Sequence, residues 1–308
     1  MPDITNYPYG LSSFGIPLIG SGEILTTGRV HFVDSTLGAD GTWPNRGASA
    51  DKPFATVASA VASARADKGD VILIAPVHAE TITAAGGITL SKAGVRVIGV
   101  GKGSKRPTFT LSTSTAATFL MSAEGCSVEN CNFVTGIDAL VTQISITASD
   151  CSVERCRLTM ATASVQAING IIIGGTAHNT VISDNEFIST QAGADAGVGV
   201  GTTLANIHIL RNRFFGDFAV AAINNVTNAW ARAIIQQNNF YILGTGKAVV
   251  AVASATGIIT DCRGQITANI AAGGAMTAAA MLKAENYFQE TAGIAASAVV
   301  DPAATAIT

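Results

Sequence analysis

A short phrase recurs along the chain and constrains the fold more than any other feature. It consists of an aliphatic residue, two variable residues, Cys or Asn, one variable residue and a large apolar residue, at 128–133, 153–158, 182–187, 209–214 and 235–240. Weaker copies lie at 259–262, which lacks the last residue, at 286–288 and at 95–100. The Cys or Asn position therefore recurs every 24 to 29 residues, at Cys131, Cys156, Asn185, Asn212, Asn238, Cys262 and Asn286.

The length and pattern of the repeat indicate stacked strands. Helical repeats need roughly 33 to 47 residues, more than one copy contains. Apolar residues alternate with polar ones inside each copy, and Ile, Val, Thr and Phe dominate, as is typical of β-strands. A unit this short cannot bury a hydrophobic face alone, so the copies must stack at roughly 4.8 Å per coil. The sequence therefore predicts an all-β fold, a single-stranded parallel β-helix (a solenoid).

Stacking predicts columns of equivalent residues. The large apolar position forms an internal ladder of Phe133, Leu158, Phe187, Phe214, Phe240 and Phe288. The Cys or Asn position forms a second ladder at a bend, where Asn amides hydrogen-bond between coils, as stacked amides do in cross-β structures. Two outward columns alternate in charge, which stabilises neighbouring strands mildly: Arg155, Asp184 and Arg211, and Arg157, Glu186 and Arg213.

The composition excludes several classes of protein. Charged residues make up 13% of the chain, against roughly 25% in an average domain, which argues against wholesale disorder. A net charge of −3 and a pI near 5.8 predict no nucleic-acid partner. Polar residues interrupt every long uncharged run, and no signal peptide is recognised, so we predict no membrane partner. The 52 Ala and 32 Gly residues suit narrow coils, and Ala-rich outer faces favour close approach of subunits in a homotrimer.

Four segments are predicted: an extended N-terminal arm at 1–28, a lead-in segment with a capping helix at 29–70, the parallel β-helix at 71–289, and a C-terminal tail at 290–308. The helix is expected to begin at Asp51, an N-cap residue followed by Pro53. Its inward residues are predicted to be Phe54, Val57, Ala58, Val61 and Ala62. This helix would cover the open end of the stack, where unpaired strand edges invite association.

The arm and the tail each allow two interpretations. The arm has no charge between Asp3 and Glu23. It packs along the side of the coils as a strap, or it docks on a partner protein through Tyr7, Tyr9, Phe14 and Ile16. The Ala-rich tail covers the far end of the stack or pairs between subunits.

A search for paired carboxylates gives one candidate for polysaccharide hydrolysis. Glu129 and Glu154, one coil apart with Asp184 nearby, have a separation within the range of glycosidase carboxylates. Arg155 and Arg157 would hold these carboxylates ionised, which suits a surface ladder better than a general acid. We therefore predict no catalytic residues.

The cysteines and histidines form no recognisable metal or cofactor site. The pairs Cys126 and Cys131, and Cys151 and Cys156, are offset by one coil, so stacking alone explains their doubled spacing. Buried structural thiols are favoured over zinc or a disulfide, and the odd count suits a reducing cytoplasm. The four histidines lie on different coils. No metal and no cofactor are predicted.

Several phrases resemble known β-helix proteins. VDS at 33–35, GADG at 38–41, DKPFAT at 51–56 and GDVILIAP at 69–76 resemble the start of right-handed parallel β-helix proteins of the pectin-lyase-like group. YP at 7–8 with SFGIP at 13–17, AINNV at 222–226 and ENY at 285–287 resemble β-helix, virion-associated proteins of tailed bacteriophages. The Asp-Asp, Asn-Thr-Asp, His-Gly and Arg-Ile-Lys sequences of pectinolytic relatives are absent. The resemblance implies a right-handed coil and a structural role in a virion.

Together these observations predict a non-enzymatic structural protein of a tailed-phage virion. The favoured role is capsid decoration (a cement protein), as a homotrimer that contacts the major capsid protein or another virion protein. Such a protein assembles in the host cytoplasm and resides in the virion. The alternative is a tail spike or depolymerase that binds or cleaves host polysaccharide, and a cellular adhesin or secreted surface protein is a third possibility.

Overall fold

The computed structural model describes residues 11–13, 16–18, 26–162, 164–225, 227–267, 275–278 and 280–290. The chain winds into a right-handed parallel solenoid of about eight turns, which confirms the predicted all-β parallel β-helix. Each full turn contributes one strand to each of three parallel sheets, in the order sheet 1, sheet 2, sheet 3.

Sheet 1 consists of β3 (Val30–Val33), β4 (Val71–Ile74), β7 (Arg96–Gly99), β10 (Ser127–Glu129), β13 (Ser152–Glu154), β16 (Val181–Ser183), β20 (His208–Leu210), β24 (Ala233–Gln236), β27 (Gly257–Thr260) and β30 (Leu282–Ala284). Sheet 2 consists of β5 (Ala79–Ile82), β8 (Thr108–Leu111), β11 (Asn132–Thr135), β14 (Arg157–Ala161), β17 (Glu186–Ala194), β21 (Arg213–Phe218), β25 (Asn239–Leu243), β28 (Arg263–Ile266) and β31 (Tyr287–Glu290). Sheet 3 consists of β6 (Ile88–Leu90), β9 (Phe119–Met121), β12 (Leu140–Ile146), β15 (Ala167–Ile173), β18 (Ala196–Val200), β22 (Ala221–Asn225), β26 (Lys247–Ala251) and β29 (Met276–Thr277).

Four short strands lie outside these sheets. β1 (Leu11–Ser13) and β2 (Ile16–Leu18) form an antiparallel hairpin, and β19 (Leu204–Ala205) pairs in parallel with β23 (Trp230–Ala231). One α-helix, α1 (Val57–Ser63), and one 3₁₀ turn, Gly103–Lys105, complete the described elements.

The large apolar positions of the repeat stack inside sheet 2. The strand register aligns five consecutive buried side chains, Phe133, Leu158, Phe187, Phe214 and Phe240. The Phe187 and Phe214 rings are nearly parallel, with centroids 4.7 Å apart. In the next coil Gly264 takes the ladder position, and the Phe240 and Phe288 rings approach across it to 5.9 Å. A Cβ on Gly264 would lie 2.3 Å from the Phe240 carbonyl oxygen, so glycine is required there.

Small residues line the interior where the coil turns towards sheet 3. A Cβ on Gly197 would lie 2.7 Å from Cε1 of Phe214, so the ladder ring occupies the space of a missing side chain. Alanines fill similar buried positions, among them Ala167, Ala194, Ala196, Ala221, Ala222 and Ala248. The expectation of Ala-rich outer faces is therefore wrong for these strands, because the narrow interior takes up the small residues.

The Cys and Asn positions line the bend between sheets 1 and 2. The residue before each of them has a left-handed backbone with φ between 52° and 58°: Asn130, Arg155, Asp184, Arg211, Gln237, Asp261 and Glu285. This conformation costs a non-glycine residue roughly 1–2 kcal/mol. The bend persists in every one of these coils, so contacts around it must offset that cost.

Asn side chains supply such contacts. Asn212 Oδ1 accepts from the backbone N–H of Asn185 at 2.9 Å, and its Nδ2 donates to the Ile182 carbonyl at 2.8 Å. The same two bonds join Asn185 to Cys156 and Val153, Asn238 to Asn212 and Ile209, and Asn286 to Cys262 and Ile259. Each Asn thus closes the bend of the preceding coil. A cysteine has no amide, and the ladder is interrupted at Cys262, whose sulfur lies 4.0 Å from Asn238 Nδ2.

The capping helix forms but begins later than predicted. Its N-cap is Thr56, whose Oγ1 accepts from the Ser59 N–H at 3.2 Å, and not Asp51. Phe54, between them, is held beside β3, because its N–H donates to the Phe32 carbonyl and its carbonyl accepts from the Asp34 N–H. A strand-like bridge therefore occupies the chain that was expected to form the first helical turn.

The later start also changes the buried face of the helix. Val57 and Val61 are buried as predicted, together with Ala60 and Ala64, whereas Ala58 and Ala62 are exposed. Phe54 is buried as well, but from the bridge that precedes the helix. The helix packs against β3, β4 and β6, the first strands of sheets 1 and 3, and so covers the N-terminal end of the stack.

Candidate functional site

The structure describes only part of the predicted docking arm. Tyr7, Tyr9 and Phe14 lie outside the described residues. Ile16 begins β2, and the hairpin register pairs it with Ser13 and pairs Leu11 with Leu18. Residues 11–13 and 16–18 of the arm therefore form a two-stranded ribbon.

A buried carboxylate, Asp70, organises the N-terminal end of the stack. Its oxygens accept from the backbone N–H of Arg29 at 2.7 Å and of Arg65 at 2.9 Å, and from the Arg65 guanidinium at 2.6 and 3.1 Å. Burial opposes ionisation, but the hydrogen bonds from Arg65 and Arg29 outweigh it and hold the pKa of Asp70 well below its usual range. Asp70 thus joins the start of β3 to the segment that follows α1.

His31 is the second buried titratable group at this end. It lies in the inner column of sheet 1, where the strand register pairs it with Ile72, and its side chain is fully buried. Its Nε2 lies 3.4 Å from an Asp70 oxygen, and its ring lies 4.9 Å from the Trp43 ring between centroids. Burial lowers the pKa of His31 below its ordinary value, although Asp70 acts in the opposite direction. The interior therefore favours neutral His31.

This pKa shift predicts a stability that decreases on acidification. The unfolded chain protonates His31 near the ordinary value of 6.5, but the folded chain does so only at lower pH, so the free energy of unfolding falls as pH drops below 6.5. We expect the free energy of unfolding, measured in urea, to fall less steeply with decreasing pH for His31→Leu than for the wild type between about pH 5 and 7. Ile72→Leu, the adjacent position of the column, serves as the control and should retain the wild-type slope. An unchanged slope in His31→Leu would contradict the prediction.

A second polar contact fixes the start of α1. His78 Nδ1 accepts from the Ser35 N–H at 3.0 Å, so Nε2 carries the proton and donates to Glu80 at 3.2 Å. The same Glu80 oxygen accepts from the Val57 N–H at 2.9 Å. This histidine and carboxylate therefore join three segments of the chain in a structural contact, with the histidine buried.

Asp40 joins the loop after β3 to the start of α1. Its Oδ1 accepts from the N–H groups of Ala55 and Thr56, both at 3.1 Å. Asp34 Oδ1 accepts from the Thr36 N–H at 2.7 Å, which forms the turn after β3. Asp34 and Asp40 thus hold the turn after β3 and the segment before α1.

The carboxylate pair considered for hydrolysis lies in a charged surface network. Glu129 and Glu154 are aligned in neighbouring strands, as predicted. Glu129 is in contact with Arg155 and lies 3.9 Å from Arg96. The cation of the first outward column therefore pairs with Glu129. In the other coils Arg211 binds Asp184 at 2.7 Å, and Arg157 and Arg213 each lie 3.5 Å from Glu186.

All five cysteines are free and buried. Burial raises the pKa of Cys151 to about 11 and that of Cys156 to about 12, so both thiols stay protonated at neutral pH. Within the described ranges, no three His, Cys, Asp or Glu side chains are grouped so that they could hold a metal ion.

A second polar ladder, which was not predicted from the sequence, lies at the bend from sheet 3 to sheet 1. Asn179 Nδ2 donates to Asp150 at 2.9 Å, Asn206 Nδ2 to Asn179 at 2.8 Å, and Arg232 Nε to Asn206 at 2.8 Å. All four residues have a left-handed backbone. Each precedes a Cys or Asn ladder position by six residues, so the alignment of the repeat already contained the signal.

Single outward columns of sheets 2 and 3 differ in charge. On sheet 3 the register aligns one outward column through eight strands with no charged residue: Thr89, Leu120, Ser145, Ile172, Gly199, Asn224, Val250 and Thr277. On sheet 2 one outward column is charged at its centre, with Arg157, Glu186, Arg213 and Arg263, whereas the other, through Thr159, Ile188, Phe215 and Tyr241, has no charged residue. We call the first column the sheet 3 face.

Comparison with known proteins adds no assignment. In the described part of the chain, no helix combines the length and the hydropathy needed to cross a bilayer. No protein-family model matches the sequence, and no curated protein and no solved structure matches it either.

Proposed function

We propose that the chain is a non-enzymatic structural protein of a tailed-phage virion, a decoration protein that binds the head as a homotrimer. The observation that carries this proposal is the sheet 3 face, an uncharged column along eight stacked strands. The phage-like phrases of the sequence support the virion location, and the major capsid protein is the proposed partner.

The sheet 3 face has the chemistry of a protein contact. Charged residues are depleted from the centres of interfaces, because desolvating a charge is costly. Val141 beside the column is 45% exposed, and Ile172 and Val250 within it are half-buried. The ion pairs in one outward column of sheet 2 need solvent or an opposite charge, so that column suits the outer surface of an assembly. We therefore place the subunit contact on sheet 3 and leave the arm for the capsid.

The test is decoration of purified empty heads, combined with sedimentation to count subunits. The wild type is expected to form trimers and to coat the heads, whereas Ile172→Arg on the sheet 3 face should sediment as a monomer. The matched control is Ile188→Arg, the same exchange at a half-buried outer position of sheet 2, which should remain trimeric. Deletion of residues 2–22 should leave the coils folded but abolish binding to heads.

Each variant can overturn a different part of the proposal. Trimers of Ile172→Arg would remove the sheet 3 contact. Full head occupancy by the truncated protein would contradict the proposed role of the arm in binding heads. Absence of the wild type from heads would contradict the decoration role.

One observation favours the tail-spike alternative. The Phe215 and Tyr241 rings are stacked on the outer face of sheet 2, with centroids 5.1 Å apart and planes within 8°. Tyr241 is 40% exposed, and Arg213 and Arg263 lie in the adjacent column. Exposed rings beside hydrogen-bond donors suit a polysaccharide chain. Release of reducing ends from host polysaccharide, lost in Glu129→Gln, would replace the decoration role with this alternative.

A further inference from the structure

An apolar groove is open at the N-terminal end of the coils. It has a volume of about 360 Å³ and lies outside sheet 1, lined by Phe32, Leu37, Pro53, Leu73, Pro76 and Val100. Leu37 is 68% exposed and Val100 is 38% exposed. Asp34 is the charged residue of the lining, and its carboxylate accepts hydrogen bonds from the Thr36 and Leu37 N–H groups. We call this cavity the N-terminal groove.

The groove lies at the apolar start of one outward column of sheet 1. The outward column of sheet 1 begins with Phe32, Leu73 and Ile98 and then changes to Glu129 and Glu154. Three consecutive apolar residues therefore occur in this column only at its first coils, and the next large apolar residue of the column among the described strands is Leu210. Val77, which is 54% exposed, has a left-handed backbone with φ 57° beside Pro76. Exposed apolar surface of this kind commonly marks a binding surface.

We infer that the N-terminal groove holds the β1–β2 hairpin of the same chain. A two-stranded hairpin alone is at best marginally stable in water and needs a surface that covers one face. The register pairs position 11 with 18 and position 13 with 16, so these four positions share one face of the ribbon. Three of the four are aliphatic: Leu11, Ile16 and Leu18.

The chain between hairpin and groove is long enough. Residues 19–25 span up to about 24 Å when extended. They lead to β3, a strand of four residues with Phe32 in the groove wall, which rises about 13 Å. The arm has no charge between Asp3 and Glu23, so seating it in an apolar groove buries no charged side chain from positions 4–22. A segment already tethered at this distance also has a high effective concentration, which favours it over a separate molecule.

Crosslinking of paired cysteines tests this inference on the full chain. The pair Leu18→Cys with Leu37→Cys places one thiol on the hairpin and one at the groove, and the five native cysteines are buried. The control pair combines Leu18→Cys with Val141→Cys, an exposed aliphatic position on sheet 3. With a short bismaleimide we expect at least a tenfold higher yield of link within one chain for the groove pair. That yield should not change with protein concentration.

Several outcomes would overturn the inference. These are a product of doubled mass, which means that a second copy fills the groove, equal yields for both pairs, or no link at the groove. If Leu37→Cys impairs folding, judged by circular dichroism, Val100→Cys, another exposed residue of the lining, replaces it. The inference does not rest on the proposed function, because the link forms in the isolated protein whether or not heads are decorated. If both hold, Ile16 lies in the groove and Tyr7, Tyr9 and Phe14 are the arm residues left for the capsid.

Discussion

Replacing Asn212 with alanine is expected to lower the free energy of unfolding by about 3 kcal/mol. The side chain is 1% exposed and bonds two backbone groups of the preceding coil, the Asn185 N–H and the Ile182 carbonyl. Alanine leaves the buried Asn185 N–H without its acceptor and removes the bond to the Ile182 carbonyl, and the loss of a buried partner costs about 1–3 kcal/mol. Asp184 at the same bend has an unfavourable left-handed backbone, and fewer hydrogen bonds then stabilise that conformation.

Urea unfolding followed by circular dichroism measures the loss. Asn239→Ala, in the next coil and exposed on the outer face of sheet 2, is the matched control and should change stability by less than about 0.5 kcal/mol. Because stacked repeats contact only their neighbours, the Asn212 variant should also lose cooperativity and show a lower m-value. Equal stability of the two variants would mean that the amide ladder does not hold the coils together.

The stacked columns could be predicted because every coil repeats the same chemistry. Once Val128, Val153 and Ile182 were aligned, the positions of Phe133, Leu158 and Phe187 followed from the spacing, and the strand register aligns them. Sheet 3 was harder to predict, because corners of different length separate it from the phrase. The uncharged column through Ser145 and Ile172 therefore emerged only from the register of the strands.

The N-terminal end could not be predicted in this way, because its contacts do not repeat. Asp51 and Thr56 are both good N-cap residues, and only the bridge between Phe54 and Val33 selects the second. The same limit applies to the proposed function. The arm anchors Tyr7, Tyr9 and Phe14 were chosen for their composition, and no repeat relates them to a partner surface.

Asp70→Ala is expected to cost about 3 kcal/mol of stability, because this carboxylate holds the cap of the whole stack. Its removal leaves the N–H groups of Arg29 and Arg65 without their acceptor and His31 without its only polar partner among the described side chains.

The control for this variant is Asp51→Ala, at the residue first expected to cap the helix. Asp51 is exposed, and we expect a change below about 0.5 kcal/mol because Thr56 is the N-cap. Thermal unfolding at pH 7 compares the two variants. If Asp51→Ala loses as much stability as Asp70→Ala, the cap depends on a helix that starts at Asp51, which the structure excludes. If neither loses stability, the buried carboxylate does not hold the first coils, and α1 covers the stack through its apolar face alone.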